Sequence, residues 1–266
     1  MPTYTKHEQG TFSWIELGTT SSEAAKKFYG GLFGWTFADS PAGPDMTYTM
    51  VKLGEDSIGG MYTMGKEMQG IPPNWLSYIN VDDADAITKK AIANGGKAMK
   101  EPFDVMTYGR MAVLTDPSGG TFAVWQPKQH IGVGRKQDTG TMCWNELFTT
   151  NVDAAGKFYA QTFGWKPEAI DMGPMGTYTL FKPSNAKADD KGNNVAGMMA
   201  MPPNMKGVPS NWIAYFAVTD CDASTKKVTE LGGKTITPPM DIPNIGRFSM
   251  VQDPQGAVFA LFKTAH

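Results

Sequence analysis

Glu16 and Glu146 stand in the same short phrase, W-x-E-L, written as Trp14-Ile15-Glu16-Leu17 and again as Trp144-Asn145-Glu146-Leu147. In an extended chain, residues two apart share a face, so each carboxylate lies beside a tryptophan. A carboxylate set among indoles loses solvation, which raises its pKa unless a cation pairs with it. Such a group can hold a cationic or hydroxyl-bearing ligand, or act as a general base. The competing reading is structural: a helix cap, or an ion pair with the duplicated Arg110 and Arg247. Other chemistries lack their parts. The three histidines, His7, His130 and His266, have no copies and read as surface residues, so neither a Ser-His-Asp nor a Cys-His set can be assembled. Gly119-Gly120 and Gly256 fit hairpin turns and lack the G-x-x-x-x-G-K pattern of a phosphate loop. Cys143 and Cys221 are not duplicated and read as inert thiols. So few thiols in 266 residues suit a reducing compartment, and the expected location is cytoplasmic.

The duplication runs far beyond W-x-E-L. Tyr48 matches Tyr178, Asn74-Trp75 matches Asn211-Trp212, and Gly95-Gly96-Lys97 matches Gly232-Gly233-Lys234. Gly109-Arg110 and Asp116-Pro117 return as Gly246-Arg247 and Asp253-Pro254. The second copy carries a polar, turn-rich insertion within residues 183–194, which reads as a lengthened hairpin loop. The expected layout is a first domain over 8–127, a linker over 128–140 and a second domain over 141–264, each long enough to bury a core.

Charge is balanced, 24 Lys and Arg against 26 Asp and Glu, with no basic block of nucleic-acid or membrane-binding type. No apolar N-terminal run predicts a signal peptide or membrane span. The partner expected is therefore a small organic molecule, with no nucleic acid and no membrane. Eighteen methionines suit adaptable apolar surfaces, with core filling as the plainer use.

Periodicity predicts a strand over residues 11–17, with Phe12, Trp14 and Glu16 on one face. Thr20 and Glu23 have capping-box spacing, and the helix they open ends at Gly34. Short strands follow at 35–37, 47–53 and 57–64. A second round then gives a strand at 75–81, a helix at 83–94 and strands at 97–101, 109–115 and 121–126. The second half repeats this with strands at 144–149, 177–182, 195–201, 212–218, 234–237, 247–253 and 257–262, and helices at 153–163 and 222–232. The fold class is α+β, built from four βαβββ units.

This pattern resembles the vicinal oxygen chelate superfamily of glyoxalase I, bleomycin-resistance proteins and extradiol dioxygenases. The features that carry the resemblance are Phe28-Tyr29 followed by Phe33-Gly34-Trp35, Val81-Asp82-Asp83 before Gly95-Gly96, and the terminal DPSGGTFAVWQP. Their copies are Phe158-Tyr159, Phe163-Gly164-Trp165, Asp220 before Gly232-Gly233, and DPQGAVFALF. The resemblance covers nearly the whole chain. It implies two tandem glyoxalase-like domains whose curved mixed sheets surround clefts.

Metal enzymes of that family place His or Glu at cleft-facing strand positions. By the resemblance these fall on Trp14, Leu76 and Ala123, with copies Trp144, Ile213 and Ala260, none of which can coordinate a cation. No metal and no cofactor are therefore expected. Sharing a strand face brings Glu16, Tyr78 and Trp125 into the first cleft, and Glu146, Tyr215 and Phe262 into the second. Tyr48 and Tyr178, on repeated T-Y-T strands, add a hydroxyl to each. With Arg110 and Arg247 these complete the candidate ligand-binding set, in which Glu16 and Glu146 are also the catalytic candidates. The expected function is metal-free binding of an aromatic or hydrophobic organic molecule. The alternative is a lyase, isomerase or dioxygenase of the same superfamily that uses Glu16 and Glu146 or a non-standard metal site. A monomer with tandem domains and a homodimer both fit the duplication.

Overall fold

The computed structural model describes residues 3–43, 46–173, 176–185, 193–202, 205 and 207–265. The first half runs β1 (Phe12–Thr19), α1 (Ser22–Phe33), β2 (Thr36–Gly43), β3 (Met46–Leu53) and β4 (Asp56–Thr63). It then runs β5 (Asn74–Asn80), α2 (Ala84–Ala93), β6 (Lys97–Val105), β7 (Gly109–Thr115) and β8 (Thr121–Pro127). The second half repeats the order as β9 (Met142–Thr149), α3 (Val152–Phe163), β10 (Lys166–Asp171), β11 (Thr177–Lys182) and β12 (Ala196–Ala200). Its second unit is β13 (Asn211–Ala217), α4 (Cys221–Glu230), β14 (Lys234–Ile242), β15 (Gly246–Gln252) and β16 (Val258–Thr264). Each half forms its own eight-stranded curved sheet, ordered β2-β3-β4-β1-β5-β8-β7-β6 and β10-β11-β12-β9-β13-β16-β15-β14. At each centre two units meet antiparallel, β1 on β5 and β9 on β13, while β4 and β8 lie parallel to β1 and β5.

Local chemistry explains where the elements begin and end. Ser21, one residue later than the expected Thr20, caps α1 by accepting from Ala24 N at 3.3 Å. Asn151 caps α3 in the same way. Gly34 and Gly164 end these helices in the left-handed region, at φ 72° and 73°, where a side chain would be strained. β2 is longer than expected, and β10 falls where no strand was predicted. Both are wet edge strands, so they lack the apolar alternation on which the sequence reading relied. β6 and β14 likewise continue past Pro102 and past Pro238-Pro239, which sit at register shifts on an edge where a missing N–H is tolerated. The polar insertion within 183–194 falls mostly on 186–192, outside the described residues.

Alternation along β1 divides its side chains between two faces. Ile15 and Leu17 enter a core shared by both halves, whereas Trp14 enters a separate cluster on the other face. Phe12 departs from the expected pattern. A register shift between Phe12 and Trp14 turns it into the shared core, against Trp165 and Trp212.

The shared core is closed by two reciprocal hydrogen-bond chains. Trp75 Nε1 donates to the Tyr29 hydroxyl at 3.0 Å, which donates to Asp253 Oδ2 of the other half at 2.9 Å. Trp212 donates to Tyr159 at 2.8 Å, and Tyr159 to Asp116 Oδ2 at 2.9 Å. The second aspartate oxygens are taken by backbone N–H groups of their own turns, from Gln255, Gly256 and Ala257 and from Ser118 and Gly120. A Cβ on Gly96 would lie 2.6 Å from Thr115 O and 2.8 Å from the Phe158 ring. Glycine there lets the aromatic ring of the opposite half seat.

Residues 128–140 are not a free spacer. Val133 N donates to Ser13 O and Gly134 N to Ser57 O, and the Val133 side chain is fully buried. His7, expected at the surface, is 4% exposed with Nε2 at 2.9 Å from Val133 O. Burial, with Lys136 close by, lowers its pKa to about 4.

Tyr29→Phe and Tyr159→Phe each strand a buried carboxylate oxygen and an indole N–H. Each substitution is expected to cost about 1–3 kcal/mol in urea unfolding. A loss below experimental error in both would remove these chains as the clasp between halves.

Candidate ligand-binding clefts

The candidate site of the first half lies on the sheet face turned away from the shared core, where residues of β1, β3, β5, β7 and β8 pack together beside Gly60 of β4. Register places Trp14 opposite Tyr78, Tyr78 opposite Ala123, and Glu16 between Gly60 and Leu76. Glu16 is the centre of a relay. Tyr48 donates to its Oε1 at 2.7 Å, Tyr78 donates to its Oε2 at 2.8 Å, and Trp14 Nε1 donates to the Tyr48 hydroxyl at 3.2 Å. Gly60 makes this geometry possible: a Cβ there would lie 2.0 Å from the Tyr48 oxygen.

The second cleft reproduces the arrangement. Tyr215 donates to Glu146 Oε2, Tyr178 donates to the same carboxylate, and Trp144 Nε1 donates to the Tyr178 hydroxyl at 3.0 Å. Gly197 repeats the role of Gly60, with a notional Cβ 1.9 Å from the Tyr178 oxygen. Trp125 packs with Trp14 in the first cleft, and Phe262 packs near Tyr215 at a ring separation of 6.5 Å in the second.

Burial raises the pKa of both Glu16 and Glu146, and the phenol hydrogen bonds only partly offset it. The same burial, with the adjacent carboxylate, raises Tyr48, Tyr78, Tyr178 and Tyr215, so these phenols act as donors. A carboxyl held in this way can accept a proton or a hydrogen bond from a ligand on its remaining lone pairs.

Arg110 and Arg247 do not belong to the clefts. Arg110 grips Asp85 of α2 through two bonds of 2.6 and 2.9 Å and reaches Asp104 at 3.4 Å. Arg247 grips Asp222 of α4 and Asp241 in the same way. Their strand neighbours Met111 and Phe248 take the cleft-side positions. The proposed pairing of these arginines with Glu16 and Glu146 is therefore corrected: they tie β7 and β15 to the helices.

Sequence reasoning missed several residues. Tyr62 lies two residues beyond Gly60 on β4, and strand alternation from Gly60 would have found it. His130, read as a surface residue, stands edge-on to Trp14 at 4.7 Å and to Trp125 at 6.1 Å. Burial lowers its pKa. Only its place in the fold reveals this, because it has no copy. His266 lies outside the described residues. Cys143 borders the second cleft and Cys221 lies in the shared core, both unpaired.

A metal centre of the kind the resemblance implies does not fit these residues. The strand positions that would ligate it carry Trp14, Leu76 and Ala123, and both Glu16 oxygens already accept from phenols. Among the described residues, no group of three His, Cys, Asp or Glu side chains converges. No helix among them is long and apolar enough to cross a membrane.

Two curved sheets of paired βαβββ units define a tandem glyoxalase-like protein. The chain belongs to the Glyoxalase/Bleomycin resistance protein/Dioxygenase superfamily, whose sequence profile matches residues 11–124 and 141–261. A protein of Mycobacterium tuberculosis named "Putative glyoxylase CFP32" is 40% identical over 267 residues, covering 100% of this chain and 99% of its own. "Anthracycline biosynthesis protein DnrV" of Streptomyces peucetius is 35% identical over 270 residues, covering 97% and 94%. The crystal structure of the 2,3-dioxygenase LapB from Pseudomonas sp. KL28 shares the fold, with a TM-score of 0.65, 12% identity and coverage of 98% and 94%.

A glutamate whose folded pKa is raised favours the folded state below its ordinary value, near 4.5, and opposes it as pH rises through the folded pKa. Glu16→Gln and Glu146→Gln remove that penalty. Their melting temperatures are expected to gain on the parent as pH rises from 4 to 8. A constant gap across that range would contradict the raised pKa.

Proposed function

We propose that the chain binds a small organic molecule with an aromatic or hydrophobic body in clefts that use no metal. The observation that carries this reading is the buried carboxyl of each cleft, held between two phenols and walled by indole and methionine. An apolar enclosure with a few convergent polar groups is the usual form of a ligand site. Aromatic walls stack on planar ligands, each good pair adding roughly 0.5–1.5 kcal/mol beyond area burial. The name of the Streptomyces relative connects that protein with anthracyclines, and a fused aromatic body suits clefts of this lining. The unpaired thiols suit a reducing compartment such as the cytoplasm.

One observation favours a second reading. Glu16 and Glu146 have raised pKa values and phenolic partners, which is how general acids and bases are poised. On that reading the chain is a lyase, an isomerase or another enzyme of the superfamily, and the two glutamates transfer protons. Glu16→Gln and Glu146→Gln would then abolish turnover while ligand affinity persists.

A thermal-shift screen of phenols, aromatic acids, aldehydes and polycyclic antibiotics tests the binding reading. A ligand at 100 times its Kd adds about 2.7 kcal/mol of stability, a readable rise in melting temperature. Flat melting temperatures throughout would leave the clefts as inert packing and contradict the proposal.

A further inference from the structure

Residues 130–136, just after β8, lie as a strap on the aromatic cluster of the first half. The Val133 side chain packs among Trp14, Tyr78, Ala123 and Trp125, and Trp125 Nε1 donates to His130 O at 2.8 Å. Val133 N donates to Ser13 O on β1, and Gly134 N to Ser57 O on β4. The N-terminal segment clamps the strap as well. Tyr4 N donates to Gly134 O at 2.8 Å, and His7 Nε2 donates to Val133 O at 2.9 Å. Tyr4 stacks on the His7 ring at 5.1 Å. The Lys136 ammonium stands 5.0 Å from the Tyr4 ring and donates to Phe12 O at 2.9 Å.

This seat is short of hydrogen bonds. His7 Nδ1, Ser13 Oγ and Asn80 Oδ1 are buried and have no partner among the described residues. All three residues touch the strap or its clamp, since Asn80 Nδ2 donates to His7 O at 2.9 Å. A buried polar atom without a partner is destabilising, and hydration on release removes that cost. The seat suits only the neutral ring. The Val133 carbonyl can only accept, so Nε2 holds the proton and Nδ1 stays bare. A proton on Nδ1 would bury a second cation near Lys136, with His130 also close. Ser13 or Asn80 could accept from it, but neither carries a neutralising charge. The nearby carboxylates are engaged elsewhere: Glu8 turns to Asn185, Asp138 pairs with Arg135, and Asp56 of β4 lies beside Gly134. Lys6 of the clamp is exposed.

We propose that residues 130–136 are an acid-released strap, which a proton on His7 lifts to uncover the Trp14 and Trp125 end of the first site. The switch does not depend on what that site binds. The released ring takes its proton near the ordinary 6.5, the seated ring only near about 4. The seat is therefore fully favoured above the ordinary value, and loses ground as pH falls from there towards the folded value.

Amide hydrogen exchange on the full chain, near pH 7.5 and near pH 5 and corrected for the intrinsic pH dependence, reads the release. Exchange at Tyr4, Val133 and Gly134 is expected to rise about tenfold or more in acid, while α1 and α3 keep their protection. His7→Gln retains an N–H for Val133 O but cannot titrate, and its strap exchange is expected to stay within about twofold. Should that variant fail to fold, Lys136→Met is the second: it removes the neighbouring cation and is expected to shrink the response. Unchanged exchange in the parent, or an equal rise in the variant, would overturn the proposal. So would loss of protection in α1 and α3 together with the strap, which is global unfolding.

Discussion

Tyr29 and Tyr159 each place a hydroxyl between an indole of their own half and the turn aspartate of the other, inside a core that water does not reach. A buried carboxylate oxygen left without a donor is costly, so the halves must seat in one relative position for both chains to close. That constraint orients everything else. It holds the helix-covered face of each sheet against the shared core. The residues of opposite parity on β1, β5, β9 and β13 are left to line separate clusters on the other faces. The clefts are thus a consequence of strand alternation once the interface is fixed.

Within each cleft the same economy of polar groups recurs. Glu16 and Glu146 sit where solvation is poor, and each is made tolerable by two phenols, one of which also accepts from the neighbouring indole. The relay needs a bare backbone at Gly60 and Gly197, since any side chain there would meet the phenol oxygen. Tryptophan, glutamate, tyrosine and glycine therefore form one unit spread over β1, β3, β4 and β5, and over their counterparts in the second half.

Much of this was legible in the sequence because duplication acts as an internal control. Trp14, Glu16, Tyr48 and Tyr78 were singled out because their copies survive at matching strand positions, and the structure brings the four together. Phe28-Tyr29 and Asp116-Pro117 were read as family marks, but sequence could not show that the tyrosine of one half meets the aspartate of the other. Arg110 and Arg247 were misplaced because duplication reveals importance, not the face on which a side chain lies. β10 was missed and β2 was cut short because edge strands exposed on both faces carry no period-two signal. His130 and Val133 were invisible for another reason. They lie in the segment between the two copies, which a comparison of the copies does not cover.

The superfamily uses one fold for metal enzymes and for plain binders, so the donor set must decide between them. Here the carboxyl of each cleft is engaged by phenols, and the strand positions around it are apolar. The most direct test is to quantify transition metals in the purified full-length protein and to measure ligand affinity before and after chelation. Metal well below one ion per cleft, with affinity unchanged by the chelator, is the predicted result. One tightly held ion per cleft, lost together with affinity on chelation, would contradict the account.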